Sequence, residues 1–61
     1  MAKLKYTKVV DGVLYVERGK DTIAMLYEIK GKWYLTKCFE GLREGELQQI
    51  VDKLNELNKS N

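Results

Sequence analysis

The chain has 61 residues, of which 44% are apolar and 33% charged, with a net charge of +2. These values describe one small folded domain, which we expect to cover residues 1–61, and exclude a disordered chain. Histidine is absent and Cys38 is the single cysteine, which excludes an internal disulfide and an ordinary zinc site. We expect no metal and no cofactor.

A core this small stabilises a domain only weakly, so well-formed local structure and self-association into a homodimer are the remaining sources of stability. The lone cysteine favours a reducing compartment. No apolar run has the length of a signal peptide or a membrane-spanning helix, so we expect a cytoplasmic protein with no membrane partner.

Three short turns divide the first 39 residues into four runs that alternate like β-strands. The turns are Asp11-Gly12, Gly19-Lys20-Asp21 and Lys30-Gly31-Lys32, and the predicted strands cover about residues 3–10, 13–18, 22–29 and 33–39. Asp11-Gly12 predicts a type I′ hairpin turn that pairs Val10 with Val13.

Traced through the turns, the alternation keeps one phase along all four strands. A third turn of three residues keeps Trp33 on the core side, whereas a turn of two residues would send it to the other face. We favour three residues because the largest side chains then stay together. One face collects the expected core residues Val9, Leu14, Val16, Ile23, Met25, Tyr27, Ile29, Trp33, Leu35 and Phe39. The other face collects Tyr6, Lys8, Val10, Val13, Tyr15, Ala24, Leu26, Tyr34, Thr36 and Cys38.

The apolar residues after Phe39 recur at helical spacing and predict a helix over about residues 43–58. Its apolar stripe consists of Leu47, Ile50, Val51, Leu54 and Leu57. We expect Leu42, in the connection, to cover the edge of the core. One stripe covers one sheet face, so we predict an α+β fold in which a four-stranded antiparallel β-meander carries one C-terminal α-helix on one face.

The residue inventory argues against an enzyme. Nucleophilic catalysis needs a base beside the nucleophile, and the chain has no histidine to serve as one. The glycines have the spacing of turns and form no phosphate-binding loop. Cys38 is interpreted as a small apolar filler. We therefore expect a non-catalytic binding module.

The tyrosines Tyr6, Tyr15 and Tyr34 stand on the predicted uncovered face with lysines nearby, an arrangement that single-strand-binding modules use to stack bases and neutralise phosphates. Residues 1–38 carry eight basic and four acidic side chains, so the sheet is basic. We predict DNA or RNA binding by a transcription-associated or phage or plasmid regulatory protein. The predicted binding residues are Tyr6, Lys8, Tyr15, Leu26, Lys30, Lys32, Tyr34 and Lys37.

The same residues permit other interpretations. Tyrosine suits strands without binding anything, and lysine on edge strands prevents unwanted strand addition. The alternative function is a regulator or inhibitor that binds a larger protein through the same face or an edge strand, with Tyr15, Leu26, Val10 and Val13 at its centre. Self-association through this face is a further alternative.

The predicted order of elements is similar to that of two groups of nucleic-acid-binding domains. One comprises the integrase arm-binding and plant ethylene-response DNA-binding domains, and the other the dimeric single-strand binders of the transcriptional coactivator type. The resemblance implies binding through a sheet. It transfers no site residue, because the chain shares no motif residue with either group.

Overall fold

The computed structural model describes residues 3–59. Four antiparallel strands form one sheet in the order β1-β2-β3-β4, and helix α1 packs on one face of it. The elements are β1 (Lys5–Val10), β2 (Val13–Arg18), β3 (Asp21–Ile29), β4 (Lys32–Cys38) and α1 (Glu46–Asn58). The predicted α+β meander with a C-terminal helix is confirmed, although the helix begins later than residue 43, at Glu46.

Each pair of neighbouring strands contains a bulge, and the bulges decide which residues face the helix. A bulge sets two residues of one strand against one of its partner, so the alternation of faces changes phase there. The pairing skips Val9 in β1, Ile23 in β3 and Thr36 in β4. The prediction of one continuous phase along all four strands was therefore wrong.

The first bulge follows from the turn between β1 and β2. Gly12 has a φ of 81°, whereas Lys30 is the one non-glycine residue of the described chain with a positive φ. A type I′ turn needs positive φ at both central residues, so the predicted turn type at Asp11-Gly12 was wrong. A type I turn followed by a left-handed glycine adds one residue to the hairpin. The added residue shifts the register of β1 by one, so Tyr6 and Lys8 lie on the side on which α1 packs.

The third turn consists of Lys30 and Gly31, with φ values of 53° and 83°. It is a two-residue turn, so the three-residue turn that we favoured was wrong. Trp33 nevertheless packs against the core, as predicted, because the bulge at Ile23 has already turned β3 over. The bulge and the shorter turn each invert the face on which later residues lie, so their effects cancel at Trp33.

The core lies between the sheet and α1. Its buried residues are Leu4, Val16, Ile23, Ala24, Leu26 and Ile50, against which Tyr6, Leu14, Trp33, Leu35, Leu42, Leu54 and Leu57 pack half-buried. Leu42 covers the core edge as predicted. Leu47 and Val51 of the predicted stripe are instead 53% and 39% exposed. They lie at the margin of the stripe, on the side of the helix from which Asn58 reaches the edge of β4.

Five predicted core residues lie outside the core. Val9 is the bulged residue of β1, and Phe39 follows the end of β4, where it is 47% exposed. Met25, Tyr27 and Ile29 lie on the face opposite α1, because the bulge at Ile23 turns that part of β3 over. By the same shift, Ala24 and Leu26, which we predicted on the uncovered face, are fully buried. Cys38 lies opposite Ala24 because the bulge at Thr36 turns the end of β4 over, and it is exposed, so its interpretation as an apolar filler was wrong.

An ion pair joins the start of α1 to the end of β2. Arg18 donates from Nε to Oε2 of Glu46 at 2.8 Å and from Nη2 to Oε1 at 2.6 Å. Glu46 is 5% exposed, and its Oε1 also accepts the backbone N–H of Arg43 at 2.6 Å. Gly45, with a φ of 82°, precedes the helix without a side-chain cap. Glu46 therefore secures a helix start that lacks an ordinary capping residue.

Because of the bulge at Ile23, we expect mutations of two neighbouring residues of β3 to differ in their effect on stability. Replacing the buried Leu26 with alanine leaves a cavity, so Leu26→Ala is expected to lower the free energy of unfolding by about 2–5 kcal/mol. Met25→Ala on the other face is expected to cost about 1 kcal/mol or less. Urea denaturation of both variants measures the difference. A larger loss for Met25→Ala than for Leu26→Ala would contradict the observed register.

The Arg18–Glu46 pair makes stability depend on pH. Hydrogen bonds from Arg18, and then from the backbone of Arg43, lower the pKa of Glu46 from 4.5 to about 2. The ionised form is favoured in the folded state, so the contribution is present above pH 4.5 and is lost as the pH falls from 4.5 towards about 2. Glu46→Gln should therefore destabilise the protein at neutral pH, by an amount that shrinks through this window.

Unfolding measured across this pH range tests the prediction, with Glu44→Gln as the control. Glu44 is an exposed carboxylate two positions earlier, and its replacement should leave the pH profile close to that of the wild type. A Glu46→Gln variant that stays as stable as the wild type at neutral pH would show that the pair does not hold the helix.

Candidate nucleic-acid interface

The sheet face opposite α1 carries three tyrosines, Tyr15, Tyr27 and Tyr34. Tyr27 is paired with Val13 on one side and Tyr34 on the other, and Tyr15 is paired with Met25. Residues directly opposite each other on antiparallel strands point to the same face, so these side chains share one surface. No element of residues 3–59 packs on it. This uncovered face consists of Lys5, Thr7, Val10, Val13, Tyr15, Glu17, Thr22, Met25, Tyr27, Ile29, Lys32, Tyr34 and Lys37.

The tyrosine rings are accessible and closely spaced. Tyr27 and Tyr34 are 37% and 47% exposed, and Tyr15 is half-buried. Directly opposite residues such as Tyr27 and Tyr34 have Cβ atoms about 5 Å apart, and the diagonal from Tyr15 to Tyr27 is about 7–8 Å. A group of rings at these distances offers an aromatic surface on which planar bases can stack.

The uncovered face is more basic than acidic. Lys5, Lys32 and Lys37 lie on it against one carboxylate, that of Glu17. Lys30 adds a further ammonium group in the adjoining turn between β3 and β4. The surface therefore combines exposed aromatic rings with positive charge at its edges, which suits a polyanion that carries planar groups.

Four of the predicted binding residues lie together on the uncovered face: Tyr15, Lys32, Tyr34 and Lys37. Lys30 lies beside them in the turn. The Nζ atom of Lys37 is 5.4 Å from the ring centroid of Phe39, which holds its charge near the β4 edge of the face.

Three of the predicted binding residues are not on the uncovered face, so their predicted placement was wrong. Leu26 is fully buried in the core. Tyr6 faces α1, where its hydroxyl donates to the backbone carbonyl of Gln49 at 3.3 Å. Lys8 lies on the same side, and its Nζ is 2.9 Å from Oδ1 of Asp11. The bulges at Val9 and Ile23 account for all three positions.

Met25, Tyr27 and Ile29 are the members of the uncovered face that were predicted in the core. The segment from Ile23 to Tyr27 is apolar at nearly every position, so either phase of the alternation buries a plausible set of side chains. No local sequence signal marks the bulge at Ile23. The register of the folded sheet is needed to place these three residues.

A separate groove lies between β1 and α1. It is an open groove of about 430 Å³, whose lining includes Tyr6, Lys3, Lys53, Asp52 and Glu56. Burial, followed by the charges of Asp52 and Glu56, raises the pKa of Tyr6. Two carboxylates balance the two ammonium groups of this groove, so it suits a polyanion less well than the uncovered face does.

Within residues 3–59, no group of three or more His, Cys, Asp or Glu side chains could hold a metal ion. None of the helical segments in the same range is long and apolar enough to cross a membrane. The chain matches no protein-family model, no curated protein and no solved structure. Function is therefore inferred from the geometry of the uncovered face.

Proposed function

We propose that this protein is a non-catalytic module that binds single-stranded nucleic acid through the uncovered face. The observation that carries the proposal is the group of three tyrosines on one open sheet face with lysines on the same face. Aromatic rings stack on bases of any sequence, and ammonium groups replace the counterions of the phosphates.

The arrangement favours single strands over duplexes. Tyr15, Tyr27 and Tyr34 come from three neighbouring strands and form a surface rather than a projecting ridge. A ring can stack on a base only when the face of that base is exposed, and pairing and stacking hide the base faces within a duplex. The proposal covers both DNA and RNA, which the test below compares directly.

The biological setting that fits this proposal is a transcription-associated or phage or plasmid regulatory protein in the cytoplasm. Such a protein needs affinity for nucleic acid and no catalytic group of its own. Cys38 is free and exposed, which suits a reducing compartment.

A protein partner, including a second copy of this chain, is the second candidate. It is favoured by the apolar side chains on the same face, namely Val10, Val13, Met25 and Ile29, of which Val10 and Ile29 are 57% and 52% exposed. Leu26, which we predicted at the centre of this surface, does not contribute to it because it is buried. The salt dependence of binding distinguishes the two candidates, because phosphate contacts weaken with ionic strength and apolar contacts do not.

Tyr34 gives the most direct mutational test of stacking. Tyr34→Ala removes an exposed ring and is expected to cost about 1–3 kcal/mol of binding free energy, whereas Tyr34→Phe keeps the ring and should retain most of the affinity. Fluorescence anisotropy with labelled single-stranded DNA and RNA oligonucleotides at low salt measures both variants. Leu47→Ala serves as the control, because Leu47 is exposed on the helix and lies away from the uncovered face.

The outcomes separate the candidates. Salt-sensitive binding that Tyr34→Ala weakens and Leu47→Ala leaves unchanged supports the proposal. A wild-type protein that binds neither oligonucleotide at low salt would overturn it. A dimer in light scattering that persists at high salt and is broken by Met25→Glu would favour the second candidate instead.

A further inference from the structure

We infer that the phosphate backbone of the bound strand follows β4, and that its bases extend across the uncovered face towards β2. This inference rests on the proposed function, which it deepens by assigning each edge of the face a different role. It is carried by the distribution of lysines, by their neighbours and by the way the edge of β4 is closed.

Within residues 3–59, the lysines at the β4 edge have no carboxylate partner. Lys32 is directly opposite Ile29, and Lys37 is directly opposite Met25. Within the described residues, Lys30, Lys32 and Lys37 make no ion pair. Their charges are therefore uncompensated, and a phosphate that approached this edge would meet ammonium groups alone.

The opposite edge of the same face is electrostatically different. Lys5 is directly opposite Glu17, a cross-strand pair of unlike charges. Glu17 remains on the face, where its Oε1 accepts the hydroxyl of Thr7 at 3.1 Å. Lys8 is turned to the helix side and paired with Asp11. A phosphate placed along β1 would therefore approach a carboxylate that β4 does not have.

Edge lysines often serve only to prevent strand addition, but at β4 other groups already do so. Oδ1 of Asn58 accepts the backbone N–H of Trp33 at 2.8 Å, and Nδ2 donates to the carbonyl of Trp33 at 3.1 Å. The bulge at Thr36 interrupts the remaining edge. Strand addition is thus hindered without the lysines, so their charge is available to a ligand.

The spacing along β4 fits a short strand. Because of the bulge, Lys32 and Lys37 lie opposite Ile29 and Met25, four residues apart along β3, which is roughly 13 Å at about 3.3 Å per residue. Tyr34 lies between them on the same face, and Tyr27 and Tyr15 follow towards the centre of the sheet. This places about two or three bases on the rings, as in other sheets that bind single strands.

A charge-removal series on the full chain tests the path. Lys32→Gln and Lys37→Gln remove a charge from the β4 edge, and Lys5→Gln removes one from the β1 edge of the same face. The affinity for a labelled single-stranded oligothymidylate is measured over a range of salt concentrations. Each β4 variant should reduce the slope of log K against log salt by about 0.7, and Lys5→Gln should leave it unchanged.

The series distinguishes failure of the path from failure of the function. Equal reductions for all three variants, or a reduction for Lys5→Gln alone, would overturn the path along β4 while leaving nucleic-acid binding intact. A wild-type protein that does not bind the oligonucleotide at low salt would overturn both. All three side chains belong to exposed residues, and circular dichroism confirms that each variant is folded before its slope is compared.

Discussion

A single helix covers only one face of a four-stranded sheet, and this constraint determines what the remaining apolar residues can do. The 13 residues of α1 are fixed at both ends on the same side of the sheet. Arg18 holds Glu46 at the start of the helix, and Asn58 bonds to the backbone of Trp33 near its end. Every side chain that the strand register turns to the other side is left outside the core.

The fold follows from local signals that act independently. Glycine turns and two-residue alternation predict the strands, and the spacing of Ile50, Leu54 and Leu57 predicts the helix. The faces could not be predicted in the same way, because a bulge inverts every later residue of its strand. The first bulge depends on a single left-handed residue, Gly12, and the second falls at Ile23, within an apolar run that permits either phase.

In the candidate site, too, the residue types could be predicted, whereas the face on which each residue lies could be predicted only in part. Tyr15 and Tyr34 are on the face where the alternation predicts them, because β2 carries no inserted residue and two changes of phase cancel at the start of β4. Leu26 and Tyr27 each lie on the face opposite to the one predicted, because the bulge at Ile23 shifts the register of β3 by one residue. The residue types thus indicated an aromatic and basic surface. Which residues form that surface depends on long-range strand pairing, which the residue types do not encode.

The central claim is that ligand binds the face opposite the helix, and methyl NMR of Met25 and Leu26 tests it most directly. These neighbours in β3 point to opposite sides of the sheet, one on the uncovered face and one fully buried. Addition of a single-stranded oligonucleotide at low salt should shift the Met25 methyl resonance and leave that of Leu26 in place. An unchanged Met25 resonance, with shifts at the helix residues Leu47 and Val51 instead, would contradict the account.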